Sequence, residues 1–283
     1  MEWVERLNQS MAYIEEHLAG EIDYEQLGRI ACCSTYHYQR MFTYMAGISL
    51  AEYIRRRRMS LAAVDLQGGD ERIIDIAQKY GYQSPTAFNR AFQAFHGTAP
   101  SSVKSTGVSV KSFSPIAFRI AVKGAAEMNY RIETKEAFRI IGVSAPLDPE
   151  MENNFIVVPK MWREASTNGT IQKLAGMMDA PPMGLLGVSA CHDEEPWKYF
   201  IAVSSTKASG EFEEYTVPAS TWAVFSGTGT NQSIQELERR IITEWLPSSG
   251  YEYANAPDIE VYLNPDPQNA QYEVWIPVVK KKG

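Results

Sequence analysis

The chain has 283 residues, 45% of them hydrophobic and 22% charged, with a net charge of −7 and three cysteines. That length suits about two domains, and no apolar run approaches the ~20 residues of a membrane span. The acidic, amphipathic start "MEWVERLNQS" is no signal peptide, and Cys32, Cys33 and Cys191 show no zinc-like spacing, so a cytoplasmic protein without metal or cofactor is expected.

Charge is unevenly placed. Residues 1–104 hold 11 basic and 12 acidic side chains, and residues 105–283 hold 16 and 22, so the acid excess lies in the second part. Within residues 24–60 six arginines (Arg29, Arg40 and the run Arg55 to Arg58) stand against only Glu25 and Glu52, a local basic patch suited to phosphate.

The first hundred residues carry helical periodicity only. "VERLNQSMAYIEEHL" spaces Val4, Leu7, Met11, Ile14 and Leu18 three and four apart and stops at Gly20. Asp23 suits the N-cap of "YEQLGRIA", which offers Leu27, Ile30 and Ala31 to a core. After "CCS" comes "TYHYQRMFTYMAG", then a long helix from Ser49 to Gly68-Gly69, then "ERIIDIAQKY", a break at Gly81, and "SPTAFNRAFQAFHGTAP". In that last helix Phe88, Phe92 and Phe95 share one side, and Thr86, Asn89 and Arg90 the other.

Helix, tight break, helix therefore occurs twice. "LGRIACCSTYHYQRMF" and "IIDIAQKYGYQSPTAFNRAF" align through the pairs Ile30-Ala31 and Ile76-Ala77 and through Arg40-Met41-Phe42 and Arg90-Ala91-Phe92. A small residue lets two helices cross closely in such a unit, and two units on one long helix can address successive major grooves about 34 Å apart. Residues 1–104 resemble the AraC/XylS family of transcription regulators, above all through "DIAQKYGYQSPTAFNRAFQAFHGTAPSSVK". The resemblance implies an all-α domain with a double helix-turn-helix, and double-stranded DNA as partner, with RNA polymerase a further candidate. It makes residues 35–44 the first recognition helix, with Thr35, Tyr36, Gln39 and Arg40 facing DNA. Residues 85–95 become the second, with Pro85, Thr86, Asn89 and Arg90 outward. Arginine suits guanine, Gln or Asn adenine, and Thr the thymine methyl.

Around "SSVKSTGVSVKS", residues 101–112, the chain turns Ser- and Gly-rich, and residues 105–126 form a linker with a connecting strand at "IAFRIAVKG". From residue 127 to 283 strand signals dominate, in the order strand, helix, strand, strand from about 137 to 206 and again from about 215 to 279. "YFIAV" and "YEVWI" occupy matching places in the two copies. An α+β domain of two β-α-β-β repeats follows, forming one curved antiparallel sheet with helices on one side and a groove along the pseudo-twofold. Through "FRIIGVS", "VPKMWREA" and "YEVWIPV" this part resembles the GyrI-like effector-binding domains, of the Rob and BmrR type, which are also found fused to helix-turn-helix proteins.

That resemblance implies a pocket acid at Glu273 that meets lipophilic cations. Strand alternation sets Trp275 beside it on the same face, and Trp162, Trp197, Tyr199 and Trp222 are candidate walls. The competing reading pairs Glu273 with a nearby Lys or Arg. Together the two parts describe a one-component transcription regulator modulated by a small organic cation, with no membrane partner and no catalysis. Two alternatives are a GyrI-like hydrolase with Glu273 as general base, and a drug-sequestering module. The chain shows no Ser-His-Asp or Cys-His constellation, and His192 in "CHDEEPW" is the one histidine of the second part.

Overall fold

A computed structural model describes residues 3–69, 71–105, 107–119, 127–148, 151–191, 196–264, 266 and 269–281; His192 lies outside these. The chain forms two compact units. One comprises Met1–Ala31 with Ala46–Ile120, the other Cys32–Met45 with Ala121–Gly283. The division departs from the sequence boundary at two places: residues 35–45 belong to the second unit, and residues 105–120 to the first.

The first unit holds α1 (Trp3–Glu16), α2 (Tyr24–Ala31), α4 (Leu50–Gly68), α5 (Ile73–Lys79), α6 (Pro85–His96) and α7 (Pro100–Val103), with α3 (Thr35–Ala46) in the other. The starts of α2, α4 and α6 are capped by side chains. Asp23 Oδ1 accepts from the backbone N–H of Glu25 at 2.8 Å and of Gln26 at 3.1 Å, Ser49 Oγ from Glu52 N–H, and Ser84 Oγ from Ala87 N–H, the last two at 3.1 Å. Gly69 and Gly97 close α4 and α6 in the left-handed region, at φ 91° and 78°. Phe88 and Phe92 are fully buried with Ile76, Ala77, Met59 and Leu66, so the apolar side of α6 is core.

Residues 107–119 are strapped onto this unit rather than loose. Ser60 Oγ accepts from Phe113 N–H at 2.8 Å, and Asn8 exchanges two bonds with the backbone of Phe118, at 2.8 and 3.0 Å. His96 bridges Met59 O (3.0 Å) and Lys111 N–H (3.1 Å). The connecting strand expected from Ile116 is not formed at 116–119, because this backbone bonds to side chains instead of a ladder; residues 120–124 of it lie outside the described residues.

In the second unit the sheet order is β1-β6-β9-β8-β3-β4-β2-β5, all antiparallel, with β7 (Tyr251–Tyr253) added on β9. The repeats are β2 (Phe138–Pro146), α8 (Met151–Thr167), α9 (Thr170–Met177), β3 (Leu185–Ala190), β4 (Lys198–Ser204) and β6 (Ser220–Gly229), α10 (Asn231–Arg240), β8 (Asp258–Asn264), β9 (Ala270–Lys280). They meet at β3 and β8, so the pseudo-twofold runs between those strands. β1 (Tyr130–Lys135) edges β6 and β5 (Glu213–Val217) edges β2. α10 continues through a π-turn at Ile241–Trp245 into α11 (Leu246–Ser248).

The two faces differ. On one, Trp222, Trp275, Val224, Ile259, Val261, Phe200 and Ile140 form an apolar core. Trp222 of β6 reaches Phe138 of β2, with four strands between them, at 6.5 Å between ring centroids. The sheet is therefore curled strongly enough that this face is its inside. The other face packs α8 and α9 over Ile141, Leu185, Ile201 and Val203.

Candidate functional site

In the first unit α6 presents Thr86, Asn89 and Arg90 to solvent, with Pro85 in its first turn. The basic patch is mostly structural. Arg55 and Arg56 pair with Glu52, Arg57 pairs with Glu15 at 2.7 Å and donates to Phe113 O, and Arg58 donates to Leu18 O at 3.1 Å and Gly20 O at 2.6 Å. Four side chains circling one helix cannot all face a duplex, and two of these tie down backbone at Phe113, Leu18 and Gly20.

The first recognition helix departs from expectation. Thr35 is half-buried, while Tyr36, Gln39 and Arg40 are 6%, 3% and 9% exposed. α3 lies within the second unit, where Tyr36, Arg40 and Tyr44, one turn apart each, form one face. Tyr36 O–H donates to Ser189 Oγ at 3.1 Å, and its ring meets Trp197 edge-on. The Arg40 guanidinium bridges Asp258 at 2.6 Å and Glu238 at 2.5 Å, and Tyr44 O–H donates to Glu238 at 2.6 Å. His37 Nε2 lies 3.3 Å from Asp258. Gln39 Nε2 and Asp258 Oδ1 are buried with no hydrogen-bond partner among the described residues. Each such group costs about 1–3 kcal/mol.

Beneath this face is a cavity of ≈ 190 Å³, bounded by α3, α8, α10 and the strands β3, β8 and β9. A neighbouring cavity of ≈ 500 Å³ extends it under α8, sharing Val158, Pro159, Tyr199, Gln235 and Glu260. Asp258, Glu260 and Tyr262 alternate along β8 toward this side, while Ile259 and Val261 point into the curled core. Glu238 stands on the buried stripe of α10 that also carries Ile234.

The carboxyls differ in charge state. Burial, reinforced by the neighbouring Glu238 carboxylate, pushes Glu260 up to about 8, so it keeps its proton at neutral pH. Tyr262 O–H lies 2.9 Å and Tyr199 O–H 3.3 Å from its Oε2, and Trp162 N–H donates to the Tyr199 oxygen at 2.9 Å. Burial would also raise Asp258, but His37 and Arg40 outweigh it and hold that carboxyl below the usual range. The same burial opposes charge on Arg40, and Glu238 and Asp258 more than offset it, so the guanidinium stays charged.

Of the six ligand residues expected from sequence, Trp162 and Tyr199 line the larger cavity. Trp197 packs beside Tyr36. Glu273, Trp275 and Trp222 lie on the opposite face of the sheet from these cavities. Trp275 and Trp222 belong to the curled core, and the Trp222 N–H donates to Pro257 O. Glu273 is held by Arg131 at 2.8 Å and by the Trp275 N–H at 2.8 Å. Its partner-paired reading is the one the geometry supports, and Val274 beside it faces the cavity instead. Sequence reasoning missed Glu238, Asp258, Glu260 and Tyr262. Two acids and a tyrosine alternating in "DIEVYLN", and an acid on an apolar stripe in "SIQELERRII", were the available signals.

A helix-turn-helix of α5 and α6 and a pocketed, internally duplicated sheet in one chain are the parts of a one-component DNA-binding regulator. The family profile described as GyrI-like small molecule binding domain matches residues 128–279, and that of a helix-turn-helix domain matches residues 27–106. SoxS of Escherichia coli K12 is 35% identical over 91 residues, 32% of this chain and 85% of that protein. YbfP of Bacillus subtilis 168, described as an uncharacterized HTH-type transcriptional regulator, is 36% identical over 100 residues; the match covers 35% of this chain and 34% of YbfP. A structure of SAV2435 bound to tetraphenylphosphonium is 18% identical at a TM-score of 0.48, covering 54% of this chain and 94% of that one. The chain belongs to the AraC-type transcription regulators and carries a GyrI-like small-molecule-binding domain. Among the described residues no helix is long and apolar enough to cross a membrane.

Proposed function

We propose that the second unit takes a lipophilic organic cation between α8 and α10, and that its occupancy governs DNA binding through the helix-turn-helix pairs. The observation that carries this is the cavity itself. Glu238, Asp258 and Glu260 converge on one end, and Trp162, Tyr199 and Tyr262 wall the other. Aromatic walls attract a cation by about 0.5–2 kcal/mol each, and a buried carboxyl gains more from a bound cation than from water it cannot reach. On the DNA side, Thr86, Asn89 and Arg90 are exposed where base edges could be read, and Thr35, Tyr36, Gln39 and Arg40 would read a second groove once uncovered. Cytoplasmic location and contact with RNA polymerase belong to the same reading. It is a binding function without turnover: Glu273, the acid a hydrolytic alternative would use as base, is paired with Arg131 on the far face.

The test is tryptophan-fluorescence titration of the full chain with tetraphenylphosphonium and with tetraphenylborate, which matches it in size and has the opposite charge. Quenching by the phosphonium alone, weakened in Glu260→Gln, is expected. Equal response to both ions, or to neither, would remove the cation from the proposal.

A further inference from the structure

We infer that the pocket holds the Arg40 guanidinium as a built-in cation, and that an incoming organic cation competes with Arg40 for Glu238 and Asp258 and so undocks α3. The inference rests on the cation reading above and adds the means by which it reaches DNA.

The residues that hold α3 are the ones expected to face DNA. Tyr36 and Arg40 are bonded to Ser189, Glu238 and Asp258, so the helix cannot be docked and meet a duplex with the same side chains. Geometry favours exchange over addition. Arg40 already holds Asp258 at 2.6 Å and Glu238 at 2.5 Å, so a second cation cannot take those oxygens while the guanidinium stays.

Space points the same way. The cavity under α3 is ≈ 190 Å³, below the ~300–1,000 Å³ of usual ligand sites, whereas the adjoining one is ≈ 500 Å³. A ligand seated in the larger one and extending toward Glu238 meets Arg40 and Tyr44 first. The docked state also leaves the Gln39 amide nitrogen and one Asp258 oxygen buried without partners among the described residues. Release gives the amide back to water or a base. A ligand acts on such an equilibrium only through its preference for one state, and here that preference is direct competition for the same oxygens.

The experiment is hydrogen–deuterium exchange of the full chain with and without tetraphenylphosphonium, with binding followed in parallel by calorimetry. Exchange in peptides from residues 35–46 is expected to accelerate at least about tenfold at saturation, while α1 stays unchanged. Binding with unchanged or slower exchange in α3 overturns the inference and leaves the cation reading standing. Absence of binding overturns the cation reading and the inference with it. Arg40→Met should bind the phosphonium about tenfold more tightly, and Arg40→Lys should stay near the unsubstituted chain. Equal or weaker binding by a folded Arg40→Met protein also overturns it; should that variant not fold, the exchange experiment decides.

Discussion

A cation that needs the Glu260 carboxylate must first remove its proton, so affinity should rise steeply with pH. Burial and the Glu238 carboxylate push this carboxyl up to about 8. At pH 7 roughly a tenth of it is ionised, and at pH 6 roughly a hundredth, since one pH unit is about 1.36 kcal/mol. The apparent Kd for tetraphenylphosphonium should therefore fall about tenfold from pH 6 to 7, about fivefold from 7 to 8, and less than about twofold above. Binding at pH 7 should release close to one proton, seen as a difference in calorimetric heat between phosphate and Tris buffers. Glu260→Gln copies the neutral acid and should flatten both effects, matching the unsubstituted chain near pH 6 and binding more weakly at pH 8.5. Stability carries the opposite sign. A carboxyl raised above its unfolded value of 4.5 stabilises the fold fully below that value, and this contribution fades as pH rises through about 8. A Kd constant from pH 6 to 8.5, with equal heats in both buffers, would refute the reasoning.

Three further outcomes follow from the geometry. Glu273→Gln should leave phosphonium affinity unchanged, because its carboxylate is held by Arg131 and Trp275 away from the cavity; a tenfold loss in the same titration would return it to the pocket. A Cβ on Gly187 would sit 2.2 Å from the Tyr199 hydroxyl and 2.8 Å from Glu260, so Gly187→Ala should displace both. We expect at least about a tenfold loss of cation affinity, and a cost of about 1–3 kcal/mol in urea denaturation. Burial lowers His96 below the ordinary histidine value of 6.5, and protonation would fill the ring nitrogen that accepts from Lys111 N–H. Stability of the first unit should thus be complete above pH 6.5 and decline as pH falls below it, a decline that His96→Gln should blunt in urea titrations at pH 7 and pH 5.

The helical half was legible almost to the residue because its signals are local. Asp23, Ser49, Ser84 and the glycines at 69 and 97 each act within a turn of chain, so reading them required no knowledge of tertiary contacts. The duplicated sheet was legible through its order of elements, and β4 and β9 do occupy matching places, each one strand out from the pseudo-twofold. Four short elements were not: α7, α9, β5 and β7. β7 has three residues, and β5 begins with two acids, so neither carries an apolar rhythm of its own. The docking of α3 was out of reach altogether. Its Tyr36, Arg40 and Tyr44 form the same stripe whether they face DNA or a carboxyl, and only the partner across the gap distinguishes the two.

The exchange of Glu273 for Glu260 has a sharper cause. A period of two assigns side chains to two faces but does not say which face lies under the helices. Both faces here are buried: one because α8 and α9 cover it, the other because the sheet curls until Trp222 meets Phe138. An acid beside a tryptophan therefore looked like a pocket, when the tryptophan belonged to the closed inside of the curl and the acid to its rim. On β8 the alternation runs the other way, with Ile259 and Val261 inside and Asp258, Glu260 and Tyr262 toward the helices. The acid on the covering helix breaks the tie. Glu238 occupies a core position of α10, and a carboxylate there is tolerable only if it faces other polar groups. Those groups must come from the strand face beneath, which selects the face of Glu260 rather than that of Glu273. A helix acid on an apolar stripe thus identifies the cavity face of a doubly buried sheet when strand periodicity cannot.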